Sequence, residues 1–300
     1  MTCLENGDWD YSPFRCVANC GQVTPQAKQY VIGGKTAISI AEVPWHTAIY
    51  REKTLICGGT ILSERIVLSA AHCFFKEETG TASTVSLYDK SLFEISVGKY
   101  YRNRTATEEF AAQFYGISEI ITVPGYDGYV GFFSADIALL ILSGYIEFKP
   151  HITPICIDRN LDYSEEKVVP NGWIGMVAGW GFTEASASPS ETLKIANLPV
   201  IDFNVCKHEA PADYRSFVTP DKFCAGYKNA GGSAVCQGDS GGGIVFPKLI
   251  GEEKIYFIRG LVSNGRSNAG GCDLGFYTMF TNIQEYITLI KTAERNNPTI

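Results

Sequence analysis

From Val31 onward the chain reads as short apolar segments separated by Gly, Pro, Asn and Asp: "HTAIYRE" (46–52), "GTILSERIVLSAA" (59–71), "LFEISVGKYY" (92–101), "DIALLIL" (136–142), "GMVAGWG" (175–181) and "KIYFIRGLVSN" (254–264). Enrichment in Val, Ile, Tyr and Phe between turn residues is the mark of strands. So many strands with few helical windows confine the chain to a barrel or a sandwich. One helix is predicted, at the C-terminus. There Thr281-Asn282-Ile283-Gln284 matches a capping box, and Ile283, Tyr286, Ile287 and Ile290 share one face.

Composition narrows the partners. The 300 residues are 45% hydrophobic and 19% charged, an ordinary globular balance. A net charge of −7 argues against nucleic acid or an anionic membrane as partner. No apolar run reaches the roughly 18 residues of a membrane span. Ten cysteines, an even number without close Cys-x-x-Cys pairs, point to disulfides and an oxidising, extracellular compartment rather than to zinc. Asn103-Arg104-Thr105 is a glycosylation triplet consistent with secretion. The first twenty residues carry no apolar signal-peptide core, so Met1 is not expected to be the natural start.

"CQGDSGGG", Cys236 to Gly243, is the segment richest in chemistry. A serine among glycines exposes its hydroxyl while neighbouring amides point at one spot. Gly238-Asp239-Ser240-Gly241-Gly242 also satisfies Gly-x-Ser-x-Gly, the nucleophile elbow of α/β-hydrolases. Those enzymes place their histidine after the serine, whereas the last histidine here is His208, so that fold is excluded. A serine nucleophile needs a base. His72, in "LSAAHC", projects from the end of a strand, whereas His46, His151 and His208 have turn or loop contexts and read as surface or packing residues. The base needs an orienting carboxylate. Asp136 leads into an apolar strand, where a lone acid would be costly unless something bonds it, and a histidine N–H is the natural donor.

"SAAHC", "DIALL" and "CQGDSGG", in that order, resemble the chymotrypsin-like serine peptidases from Val31 to about Thr292. The resemblance implies an all-β fold of two six-stranded antiparallel β-barrels with a C-terminal α-helix. It implies Ser240 as nucleophile, His72 as base and Asp136 as its orienting acid, with the N–H groups of Gly238 and Ser240 as oxyanion hole. It also implies the bridges Cys57–Cys73, Cys206–Cys224 and Cys236–Cys272. Cys20 and Cys156 would then tether the segment before the cut to the loop joining the barrels. No cofactor is called for. Glu108, Glu109 and Glu119 lie near the region where some relatives bind calcium, but exposed acids are the commoner reading.

In this family a cut before a Val31-type residue frees an amine that pairs with the acid preceding the nucleophile, here Asp239. "VIGG" (31–34) follows Tyr30, so the chain reads as a zymogen with a non-basic activation bond. The pocket floor falls on Ala234, where trypsin-like members carry aspartate, and the walls on Gly265 and Gly275. Large apolar side chains are therefore expected at the cleaved bond, Tyr30 among them, which makes self-activation possible in principle. Asp273 is the one acid that could alter that preference. Asn264 replaces the usual tryptophan beside the pocket and Gly243 the usual proline, although the backbone from Ser263 to Gly265 can still pair with substrate.

Cys3, Gly7, Trp9, Pro13 and Cys16 resemble the last third of a sushi (complement-control) module. The expected division is a truncated sushi module at 1–20, a linker and activation segment at 21–30, and a protease domain at 31–300. That combination resembles the arthropod modular serine proteases, which start cascades leading to Toll signalling and melanisation. It implies a downstream protease zymogen as protein substrate, and an upstream recognition protein bound through modules absent here. A non-enzymatic adaptor on a protease fold and a digestive chymotrypsin-like enzyme are the rival readings.

Overall fold

The computed structural model describes residues 20–23, 40–78, 84–106, 112–159, 168–181, 188–228, 235, 238–265, 267–268, 271–272 and 275–298. The first barrel comprises β1 (His46–Arg51), β2 (Thr54–Ile61), β3 (Ile66–Ser69), β6 (Phe93–Val97), β7 (Gln113–Thr122) and β8 (Ala138–Leu142). A ribbon of β4 (Phe75–Glu78) and β5 (Thr84–Leu87) projects between β3 and β6. The second barrel comprises β9 (Ile174–Gly179), β10 (Lys194–Ile201), β11 (Lys222–Ala225), β12 (Gly243–Ile250), β13 (Glu253–Asn264) and β16 (Thr278–Asn282). A small hairpin of β14 (Ser267–Asn268) and β15 (Gly271–Cys272) precedes β16. Both barrels close, in the orders β1-β2-β3-β8-β7-β6 and β10-β11-β16-β13-β12-β9, with every pairing antiparallel. This is the two-barrel architecture expected.

The continuous apolar runs have a simple cause. Along β8, Ala138, Leu140 and Leu142 fill the first barrel, while Leu139 and Ile141 join the core between the barrels. Alternate side chains of a strand point to opposite faces, and here both faces are buried. In the second barrel Val177, Ile244 and Val262 point inward, and Ala178, Val245 and Leu261 face the other barrel. β12 contains Pro247, beyond the point where its pairing with β9 ends after Ile244 and Val245. A residue without an N–H is tolerated where only one side of the strand is paired.

Two helices are present among the described residues. α1 (Phe203–Glu209), absent from the expectations, is capped by Asp202, whose carboxylate accepts from the N–H groups of Asn204 and Val205. α2 (Ile287–Asn296) follows a 3₁₀ turn over Ile283–Tyr286. The capping box is corrected. Asn282 caps the turn by accepting from Gln284 N–H at 3.2 Å, while Thr281 belongs to β16 and donates its hydroxyl to the Asp136 carbonyl at 3.0 Å. Ile283, Ile287 and Ile290 are buried in the core between the barrels as predicted.

The turn or loop contexts expected of His208, which lies in α1, and of His46 are also corrected. His46 opens β1, is only 5% exposed, and lies with its ring centroid 5.1 Å from that of Trp180 in the junction of the barrels. Its Nε2 has no hydrogen-bond partner among the described residues. Burial pushes its pKa down from 6.5 to about 3. The folded pKa lies below the unfolded one, so the stability this neutral ring supports is complete above pH 6.5 and drains away as the pH falls toward 3. We expect this one proton to add a slope of about 1.4 kcal/mol per pH unit between its unfolded and folded pKa values. Urea midpoints measured from pH 7 down to pH 4 should show that slope in the wild type and lose it in His46→Gln. Parallel curves for the two proteins would refute the assignment.

Candidate active site

β3 ends at Ser69, and a 3₁₀ turn over Ala71–Cys73 carries His72 to the seam between the barrels. The Cys57–Cys73 bridge staples that turn to β2. His72 Nδ1 lies 2.8 Å from Asp136 Oδ2, and the His72 backbone N–H donates to Oδ1 at 2.9 Å. Asp136 is fully buried, which its position before β8 made costly without partners. A third donor comes from the second barrel, where the Ser263 hydroxyl reaches Oδ2 at 2.6 Å.

Burial alone would raise the Asp136 pKa, but the His72 charge and the bonds from His72 and Ser263 overcome it and hold the carboxyl below its usual range. For His72, burial pulls the imidazole down, and the charge and hydrogen bond of Asp136 outweigh that and raise it. A ring that donates a hydrogen bond from Nδ1–H to a carboxylate keeps its Nε2 lone pair free to act as a base. The side chain is 23% exposed, so the ring is open to the cleft.

The serine loop docks onto the first barrel next to this pair. Gly58 N–H donates to the Ser240 carbonyl at 2.8 Å, and Gly241 N–H donates to the Val262 carbonyl at 2.8 Å. Gly241 has φ +78°, and a Cβ there would sit 2.2 Å from Ser69 Oγ and 3.0 Å from Ala70 N, so only glycine fits. Asp239 turns inward, accepting from Gly181 N–H at 2.7 Å, against backbone where a Cβ at Gly179 would come within 1.9 Å of its carboxylate. Gly243 also approaches closely, its missing Cβ facing Thr60 Oγ1 at 2.5 Å.

The pocket residues are partly described. Gly265, expected as a pocket wall, is exposed, and a Cβ there would have only ordinary contacts with the Val235 carbonyl at 3.7 Å and Thr278 Oγ1 at 3.9 Å. Gly275 precedes buried Phe276 and Tyr277. Ser263 contributes its hydroxyl to Asp136, a use that the sequence reading, which valued only its backbone, missed. Cys206–Cys224 fastens α1 to β11, and Cys20–Cys156 fastens residue 20 to the connection between the barrels. Gly21 reinforces that tether, donating to the Pro154 carbonyl and accepting from Tyr256 N–H, each at 2.8 Å. Asn103 is exposed, its side-chain oxygen accepting from Thr105 N–H and hydroxyl. Tyr30, Val31, Ala234, Asp273, Cys3, Cys16, Cys236 and with it the Cys236–Cys272 bridge lie outside the described residues.

The loop entering Asp136 is unusual. Phe132, Phe133 and Ala135 have φ of 54°, 53° and 59°. Left-handed backbone at non-glycine residues costs roughly 1–3 kcal/mol apiece and persists only where surroundings fix it. The Phe133 ring meets His72 edge-on at 5.8 Å and joins Tyr129 and Phe217 in an aromatic cluster.

Two closed six-stranded barrels with a buried acid–histidine pair at their seam and a glycine-flanked serine docked beside it define the class of chymotrypsin-like serine peptidases. The chain belongs to the trypsin family, whose description matches residues 31–288, and it is a serine endopeptidase. It is 31% identical over 296 residues to clotting factor C of Tachypleus tridentatus and to Limulus clotting factor C of Carcinoscorpius rotundicauda, covering 96% of this chain and 28% of each relative. It is 30% identical over 305 residues to the modular serine protease of Drosophila melanogaster, covering 98% of this chain and 45% of that protein. The chain thus spans less than half the length of these relatives.

Proposed function

We propose that the chain is the protease portion of a secreted zymogen that works early in a proteolytic cascade, with Ser240 as nucleophile, His72 as general base and Asp136 as the acid that orients it. The observation that carries the reading is the bonding of Asp136 by His72 and Ser263 beside the docked Ser240 loop. Ser240 Oγ attacks the scissile carbonyl as His72 takes its proton. The N–H groups of Gly238 and Ser240 hold the oxyanion, and His72 then protonates the leaving amine. Water repeats the sequence on the acyl-enzyme.

Activation is by cleavage of Tyr30–Val31, after which the Val31 amine pairs with Asp239. An ionic pair buried in that way loses roughly 3–5 kcal/mol when one member is missing, enough to leave the oxyanion hole unformed in the uncut chain. Ala234 at the pocket floor gives arginine no charge partner, and the open wall at Gly265 suits a large apolar residue such as Tyr30 itself. Residues 1–20 as a truncated sushi module, 21–30 as linker and activation segment, and 31–300 as protease domain complete the reading. The Cys20–Cys156 bridge keeps the front segment attached after the cut. Relatives named for clotting and as a modular serine protease support a downstream zymogen as substrate and a recognition protein upstream. Export and a sugar on Asn103 fit the disulfides and the exposed triplet. Among the described residues no helix is long and apolar enough to cross a membrane.

Wild type and Ser240→Ala incubated side by side provide the test. We expect a Val-Ile-Gly-Gly N-terminus to appear in the wild type only, more slowly on dilution, with the two pieces separating on a gel only after reduction. If both chains stay intact until another protease is added, cleavage at Tyr30 belongs to that protease and self-activation is wrong. Separation without reductant would remove the tether.

A further inference from the structure

Lys222 opens β11 of the second barrel and is 3% exposed, among the most deeply buried charged side chains described. Nothing in the reaction so far uses it. Among the described residues its ammonium does not spend its hydrogen bonds on a carboxylate. It donates to the Phe132 carbonyl at 2.9 Å and to the Phe217 carbonyl at 3.4 Å. Phe132 belongs to the strained loop of the first barrel that runs through Phe133, against His72, into Asp136. The neighbouring Asp221 grips the same loop, accepting from Ala135 N–H at 2.8 Å, and is itself held by the hydroxyls of Thr219 at 2.5 Å and Tyr286 at 2.7 Å. So the left-handed residues before Asp136 are fixed from the opposite barrel by a cation and an anion side by side in sequence.

The charge of Lys222 also reaches the catalytic pair. It favours the Asp136 carboxylate and opposes a proton on His72. The groups facing it are Asp136 and His72 across the seam, Asp221 in the turn just before β11, and Tyr286 through its bond to Asp221. Burial lowers the Lys222 pKa to about 8, despite the favourable charges of Asp136 and Asp221.

We propose that Lys222 is a positioning residue for the His72–Asp136 pair, holding from the second barrel the loop that delivers Asp136 and Phe133. The proposal rests on the assignment of His72 and Asp136 above.

Imidazole Cε1–H resonances of the intact, uncut chain test it directly, since only four histidines need assigning. Lys222→Met removes charge and donors; Lys222→Gln removes the charge and keeps a donor; Lys222→Arg keeps the charge. We expect the His72 midpoint to move to higher pH in the Met and Gln variants and to stay in place in the Arg variant. The acid limb of kcat/KM in the activated enzyme should move with it. Plateau kcat/KM should fall roughly 10- to 100-fold in Lys222→Met as the loop loses its anchor. A lysine that merely stabilises the fold would lower the urea midpoint and leave the His72 midpoint where it was. If Lys222→Met does not fold, Lys222→Gln carries the comparison. An unmoved His72 midpoint in a folded neutral variant overturns the proposal. Retained activity in Ser240→Ala would instead overturn the triad, and the two failures are told apart because the resonance is read without turnover.

Discussion

Ser240→Ala in the cleaved enzyme is expected to lower kcat on a peptide amide by roughly 10⁶-fold with little change in KM. The size follows from what the hydroxyl alone supplies. Alanine leaves the loop intact, because Gly58 bonds the backbone carbonyl of residue 240 and Gly241 bonds Val262 through its own N–H. Substrate therefore still binds, and Gly238 with residue 240 can still present an oxyanion hole. What disappears is the atom that forms the acyl bond, and with it the use of His72 as a base. For that reason His72→Ala should cost about as much, and the double variant should be no worse than either single one. The residual rate, roughly 10³–10⁴ above water, is the share belonging to binding and the oxyanion hole. Active-site titration with a serine-directed phosphonate, followed by single-turnover kinetics, measures this. A Ser240→Ala chain retaining a tenth of the activity would move the nucleophile elsewhere.

How much of this was written locally in the chain differs from element to element. β8 was legible because both its faces are buried, so "ALLIL" (138–142) is apolar throughout. The Ser240 loop was legible because close approach on several sides admits only glycine, and that restriction shows directly in the residues. β7 was not, because one face meets water and a register shift between Ile117 and Glu119 breaks its alternation. The turn of the first hairpin carries no Asn-Gly. Glu52 and Lys53 take φ of 50° and 70° instead, so local turn chemistry gave no sign of it. At the site the motifs pointed to three residues, and the packing added others that no motif could reveal. Ser263 is 127 positions from Asp136, and Lys222 acts on a loop 90 positions earlier. A serine and a lysine in strands have no spacing that distinguishes them from surface residues. Their roles come from the docking of one barrel on the other.

That docking makes the site a joint product. The first barrel supplies His72 and Asp136; the second supplies Ser240, the Ser263 and Thr281 hydroxyls on Asp136, and the Asp221–Lys222 grip on the loop before it. The Ser263 and Thr281 contacts on Asp136 are buried, so their loss is costly. The buried, neutral His46 lies in the same seam, and acid that charges it acts on the surface that brings His72, Asp136 and the Ser240 loop together.

Asp136→Asn should lower kcat near neutral pH by roughly 10⁴-fold while the protein stays folded. The reason lies in which donors can reverse. The His72 backbone N–H, the His72 ring and the Ser263 hydroxyl all point at this carboxylate. A backbone N–H can only donate, so it selects the asparagine carbonyl for the Oδ1 position. The amide NH₂ then occupies the Oδ2 position, 2.8 Å from His72 Nδ1. The Ser263 hydroxyl can turn and accept from it. The imidazole can accept there only by moving its proton to Nε2, and that tautomer has no lone pair left to take the proton of Ser240. The ring also loses the charge that raises its pKa, so the acid limb of what activity remains should move to lower pH. Two measurements separate this from damage to the fold: an unchanged near-UV circular dichroism spectrum, and a pH–rate profile that falls in height and shifts to acid together. A variant within tenfold of the wild type at every pH would mean that Asp136 holds the seam together without directing the base.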